Sequence, residues 1–88
     1  MIHKSEIPGY ENKMSLLVEE IGDLRYDRLA DFLNLLSSKI QNDGNKDLNR
    51  GRVRLANSLS KCSEKLQEAK EVIDVSWRIS EPYMSDYE

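Results

Sequence analysis

The 88-residue sequence holds a single cysteine, histidine, tryptophan and phenylalanine, with only two prolines and four glycines. Each scarcity excludes something. Cys62 has no second thiol to pair with, so no internal disulfide can form and nothing calls for an oxidising compartment. His3 is the only histidine, which puts the ordinary zinc ligand sets out of reach and leaves Cys62 without a base to activate it. No glycine-rich phosphate loop is present. The longest uninterrupted apolar run is Leu16-Leu17-Val18, against the roughly 20 residues of a membrane span. With no charged-then-apolar leader, the expected location is the cytoplasm. Alternation of period two is missing and β-branched residues are few, which removes β architectures and leaves an all-α chain.

What the sequence does have is charge and helical periodicity. Charged residues make up 33% and hydrophobic residues 39%, too apolar for disorder and too polar for a membrane protein. The length fits one domain with one modest core, because a chain this short buries only about 60 to 65% of its unfolded surface. Helical apolar surface beyond what that core can cover points to self-association or a partner. The net charge of −3 decides little, but its distribution is uneven. Residues 45–61 carry five bases and one acid, whereas from 62 onward Glu64, Glu68, Glu71, Asp74, Glu81, Asp86 and Glu88 outnumber Lys65, Lys70 and Arg78.

Residues 1–9 end in Pro8-Gly9 and show no periodicity, so they are expected to form an irregular arm. Met14, Leu17, Val18 and Ile21 follow i, i+3, i+4, i+7 spacing and predict a helix over 10–22, with Gly22 as either a break or a kink. Leu29, Phe32, Leu33, Leu36 and Ile40 predict a second helix over 24–42, stopped by the turn-forming cluster Asn42-Asp43-Gly44-Asn45. Positions 48, 52, 55, 59, 62, 66, 69, 73, 76, 80 and 83 then alternate steps of four and three, a heptad seam that predicts one long helix over 47–80, ending before Pro82. An acidic tail, 82–88, completes a single helical domain spanning 10–81.

A fold-back at Gly44 sets Ile40 against Leu48, Leu33 against Leu55, Leu29 against Leu59 and Tyr26 against Cys62, with Asp27 and Asp23 facing Lys61 and Lys65. The expected architecture is therefore an antiparallel helical hairpin or a three-helix bundle with one long C-terminal helix. A two-helix hairpin leaves apolar surface uncovered and is expected to dimerise into a four-helix bundle.

Several constellations are weighed against plainer roles. The basic run Arg50, Arg52 and Arg54 suits phosphate contacts, but no aromatic residue interleaves with it, and a solvated or salt-bridged face is the plainer explanation. The acidic stripe Glu20, Asp23, Asp27 and Asp31 lies along one helix and does not converge on a point, as a metal cage must. Cys62 on the seam behaves as a small hydrophobe. Trp77 is expected mainly to cover the first helix, yet tryptophan is a residue type enriched in binding hot spots, and Val75, Trp77, Ile79 and Tyr83 are the expected partner contacts.

Nothing here calls for a cofactor, a metal ion or catalysis. The expectation is a non-enzymatic protein that works by protein–protein interaction, as a regulator, an adaptor, or an immunity- or chaperone-like subunit. Its partner is another protein or itself, as a homodimer. The alternative is a nucleic-acid-associated regulator that uses the basic start of the last helix.

Overall fold

The computed structural model describes residues 3–83 and is all-α. It comprises α1 (Met14–Gly22), α2 (Tyr26–Asn49), α3 (Val53–Ser80) and a short 3-10 turn, Glu81–Tyr83, with no strand among the described residues. The molecule is elongated, 50 × 29 × 14 Å. Of the expected acidic tail, Pro82 and Tyr83 belong to the 3-10 turn, and 84–88 lie outside the described residues.

α1 begins at Met14 rather than Tyr10 because the chain before it turns twice. Gly9 and Asn12 adopt positive φ angles of 91° and 56°, and the Tyr10 and Lys13 amides donate to the Ile7 and Tyr10 carbonyls at 2.9 and 2.7 Å. A helix cannot propagate through such residues. At its other end Gly22 is a true break: the Asp23 amide closes α1 on the Glu19 carbonyl at 2.9 Å, and Arg25 is extended (φ −53°, ψ 143°) before α2 starts.

α2 does not stop at residue 42. Lys39 and Asp43 form an i, i+4 ion pair at 2.6 Å, and Gln41 donates to Asn45 at 3.1 Å, so the polar cluster read as a turn is bridged along the helix surface. The helix ends at Asn49 because Gly51 takes a left-handed φ of 77°. Its amide bonds the Leu48 carbonyl at 2.9 Å and the Arg52 amide bonds the Asp47 carbonyl at 2.9 Å. These two bonds make a Schellman motif with glycine at the position just past the cap. The turn between α2 and α3 is therefore Arg50-Gly51-Arg52, and the fold-back at Gly44 is not observed.

Moving the turn changes the register. Ser37 lies opposite Ser63, where a fold-back at Gly44 would have set it opposite Gly51, and the Gln67 side chain donates to Asn34 at 2.7 Å. Asp27 pairs with Arg25 and Lys65 with Glu68, so the cross-helix charge pairs of the other register are absent as well.

The α2–α3 contact is built from small residues at intervals of seven. Ala30, Ser37 and Gly44 on α2 and Ala56 and Ser63 on α3 are the residues buried in these helices. A Cβ on Gly44 would sit 3.3 Å from the Leu59 Cβ and 3.4 Å from the Ala56 carbonyl oxygen, so the two backbones approach as closely as side chains allow. Halfway along, the Ser37 hydroxyl donates to the Ser63 carbonyl at 2.8 Å and the Ser63 hydroxyl to the Ser37 carbonyl at 2.9 Å. This reciprocal pair satisfies both buried hydroxyls and pins the register, since a slip along the seam would leave them without partners.

Close approach through small side chains buries little apolar area. Among the described residues no large side chain is fully buried, and the core proper consists of Ala30 and Ala56. The accessible surface is 7007 Å². A compact monomer of 10.2 kDa exposes about 5,300 Å² by the usual mass scaling.

Candidate partner-binding face

The large side chains missing from the core lie side by side. At 3.6 residues per turn, Leu29, Leu33, Leu36 and Ile40 fall about a quarter-turn round α2 from the Ala30–Ser37–Gly44 line. Leu55, Leu59, Cys62, Leu66, Ala69 and Ile73 fall about a quarter-turn, in the same rotational sense, from the Ala56–Ser63 line on α3. Two antiparallel helices displaced in the same sense present these residues on one side of the hairpin. The result is a single broad apolar face.

The second set is the heptad seam of the sequence. It does not hold the hairpin together; it runs beside the line that does. Leu48 and Arg52, its expected first members, belong to the end of α2 and the turn, so the seam proper starts at Leu55. Leu55 is 46% exposed, Cys62 and Ala69 are exposed, and Leu59, Leu66 and Ile73 are only half-buried. The four α2 residues of this face are half-buried too.

The N-terminal segment supplies little cover. Only Leu17 and Ile21 of α1 are partly buried, while Met14 and Val18, expected to face inward with them, are each 61% exposed. From Ser5 onward the arm lies against α1, while His3 reaches the C-terminal end of α2. Tyr10 hydrogen-bonds Glu20, which raises the Tyr10 pKa. A shallow recess of about 170 Å³ between arm and helix is lined by Ile7, Tyr10, Met14 and Leu17 among others.

The four residues expected to meet a partner are divided among three places. Val75 and Ile79, with Val72, form an exposed stripe on the side of α3 away from the broad face. Trp77 projects to the seam side, half-buried, with the Arg25 guanidinium stacked 5.4 Å from its ring centre. The residue stacked on it thus belongs to the linker between α1 and α2. Tyr83 is exposed in the 3-10 turn. The heptad pattern assigns Leu55, Leu59 and Leu66 to the hairpin interior, so the sequence alone does not mark them as contacts.

Arg50, Arg52 and Arg54 gather at the closed end. Arg50 caps α2, Arg52 precedes α3 and Arg54 lies in its first turn, which holds no acid. Arg52 donates to Asp47 at 3.2 Å. With His3, Asp43, Lys46 and Asp47, Arg50 and Arg52 line an open recess of about 140 Å³. Lys39 holds the Asp43 carboxyl below its ordinary range by hydrogen bonding, and Arg25 does the same for Asp27. At the open end a hydrogen bond to Asp74 raises the Lys70 pKa. No helix of the described residues is long and apolar enough to cross a membrane. Comparison with family models, curated proteins and solved structures returned no match.

Proposed function

We propose that this protein is a non-enzymatic interaction module that works by presenting the broad apolar face of its α2–α3 hairpin to a protein partner. One observation carries the reading: ten residues of two adjacent helices converge on one face, and none of them is buried. Isolated exposed apolar residues are ordinary, but a contiguous patch of this kind marks an interaction site. The recesses of about 170 and 140 Å³ are smaller and more open than ligand pockets of about 300 Å³ or more, which favours a surface role over catalysis. Regulator, adaptor and immunity- or chaperone-like subunit all fit such a role.

The test is recovery of tagged protein from lysate of the source cells, with and without nuclease. A protein partner that survives nuclease and is lost on Leu55→Glu supports the reading. Retention of the same partner by Leu55→Glu, or recovery of none at all, counts against it.

A second reading rests on the closed end, where Lys46, Arg50, Arg52 and Arg54 stand within one turn of the hairpin tip. If these bases hold nucleic-acid phosphates, binding to a duplex falls steeply with salt, and neutralising Arg50 and Arg54 flattens that slope. An apolar interface responds weakly to salt.

A further inference from the structure

Resting on the reading of the broad face as an interaction surface, we infer that its occupant is an acidic amphipathic helix of a different protein, laid along the α3 seam. Shape argues for a helix. Leu55, Leu59, Cys62, Leu66, Ala69 and Ile73 alternate steps of four and three along α3, and a strict heptad is the repeat that two helices share when they wind round each other. α2 packs on the neighbouring Ala56–Ser63 line, which leaves Leu55, Cys62 and Ala69 exposed. Cys62 and Ala69 are the small members of the seam, two helical turns and about 10 Å apart. Leu59 and Leu66 stand one turn to either side of Cys62, and Leu66 and Ile73 do the same for Ala69. The two small residues are therefore holes for bulky side chains seven residues apart on the incoming helix.

Charge sets what must flank those side chains. Helical geometry places Arg54, Lys61 and Lys65 on the edge of the seam away from α2. Arg54 and Lys61 form no ion pair among the described residues. Lys65 meets Glu68 at 3.4 Å with both side chains mostly exposed, a contact worth little. Glu64 and Glu71 lie on the opposite side of the helix. Across the face, Asp43 and Asp47 continue the Leu36–Ile40 row of α2, but Lys39 and Arg52 hold them at 2.6 and 3.2 Å. The uncompensated charge bordering the seam is thus positive, although the whole chain carries −3. A helix with glutamate or aspartate beside its apolar row meets three bases there, whereas a basic helix meets like charge. Beyond Lys65 the same edge turns apolar at Val72 and Ile79, both exposed, so the acids are needed only at the end lying over residues 54–65.

An anionic lipid surface shares part of this chemistry, apolar residues rimmed by bases, but it selects large side chains that project. Of the exposed seam positions Leu55, Cys62 and Ala69, two are small. Trp77 is half-buried against Arg25. A ridged surface with holes at a seven-residue interval suits a helix laid in a groove instead.

The probes are two labelled synthetic peptides of about 20 residues with leucine at both apolar heptad positions, one flanked by glutamate and its twin by lysine at the same places. By fluorescence anisotropy at low salt, the wild-type chain is expected to bind the glutamate peptide about tenfold more tightly than the lysine twin, against the bias of its own net charge. The triple variant Arg54→Glu, Lys61→Glu, Lys65→Glu should reverse that preference. Ala69→Leu adds apolar surface yet should weaken binding of the glutamate peptide about tenfold, because it fills a hole. All four positions are exposed in the single chain, so helicity by circular dichroism should not change. Binding of neither peptide, equal binding of the twins, a preference that survives the triple variant, or tighter binding by Ala69→Leu overturns the inference. So does cosedimentation with vesicles of phosphatidylserine and phosphatidylcholine that Ala69→Leu strengthens, which assigns the face to lipid. Failure of the peptides alone leaves the broader reading standing, because that reading falls only with the lysate result on Leu55→Glu.

Discussion

Gly44 tells the two possible registers apart. Replacing it with alanine sets two effects against each other. In a helix interior alanine is favoured over glycine by about 1 kcal/mol. Against this, the new Cβ would meet the Leu59 Cβ at 3.3 Å and the Ala56 carbonyl oxygen at 3.4 Å. Neither atom can rotate away, since one is main chain and the other is fixed to it, so α3 has to move outward by a few tenths of an ångström. Overpacking of this kind costs about 1–3 kcal/mol. The net expectation for Gly44→Ala is a loss of about 0–2 kcal/mol. Gly44→Leu keeps the propensity gain but drives a whole side chain into the closest contact of the hairpin, pulling apart the Ser37–Ser63 pair, and should cost about 3 kcal/mol or more. Gly22→Ala is the control: its Cβ meets nothing within 4 Å, and it should gain up to about 1 kcal/mol. Urea unfolding followed by far-ultraviolet circular dichroism, at one fixed protein concentration, measures all three. If Gly44 sat instead in an exposed turn, the leucine variant would unfold near the wild-type midpoint, and that result refutes the small-residue contact.

The reciprocal serine pair predicts coupling: Ser37→Ala and Ser63→Ala should each cost about 1 kcal/mol before the helix-propensity gain, and the double variant should cost less than their sum by about 0.5–1 kcal/mol, whereas strict additivity would mean that the hydroxyls do not meet. Asp27 and Asp43 titrate below their ordinary value of 3.8 because Arg25 and Lys39 hydrogen-bond them. Both carboxylates therefore favour folding above that pH, and the contribution is lost as pH falls through the folded values; melting temperatures should be level near neutrality and drop below about pH 4, less steeply for Asp43→Asn. Trp77 is the only tryptophan, so its emission reports the Arg25 stack, and Arg25→Ala should shift the spectrum and cost about 0.5–1 kcal/mol; an unchanged spectrum counts against the stack.

The all-helical class was legible because the sequence offers helical periodicity and nothing else. The position of the hairpin turn was not, and the reason is physical. Asn42-Asp43-Gly44-Asn45 has the composition of a turn, but glycine serves two purposes: a backbone conformation and a close approach. At Gly44 it serves the second, which only the partner helix reveals. Gly51 serves the first, and its signal is in the sequence, a glycine just past a last turn containing Lys46, but it is set among arginines whose charge pattern is equally plain. The heptad on α3 is a true repeat but not the hairpin interior, because a second repeat of seven, Ala56–Ser63 facing Ala30–Ser37–Gly44, runs beside it in small residues that leave no apolar pattern. The basic cluster at 50–54 is plain in the sequence, but two of its three arginines, Arg50 and Arg52, lie in the turn and only Arg54 on α3.

Two repeats on one helix have an energetic consequence. The small-residue line gives the hairpin its register but little stabilisation: two alanine methyls at about 0.8 kcal/mol each and a pair of serine hydrogen bonds at about 1 kcal/mol each are only a few kcal/mol. The large-residue line, with Leu55, Leu59, Leu66 and Ile73, holds apolar area that α2 does not cover. Whatever covers that line adds its burial to the stability of the fold, so folding and association are linked, and the melting temperature must rise with the concentration of the covering molecule. Melts of the wild-type chain over a hundredfold range of the glutamate peptide should climb by several degrees, while those of Ala69→Leu should climb less. A wild-type melting temperature that ignores the peptide would mean that the hairpin gains nothing from cover, and the coupling between its two repeats would then be wrong.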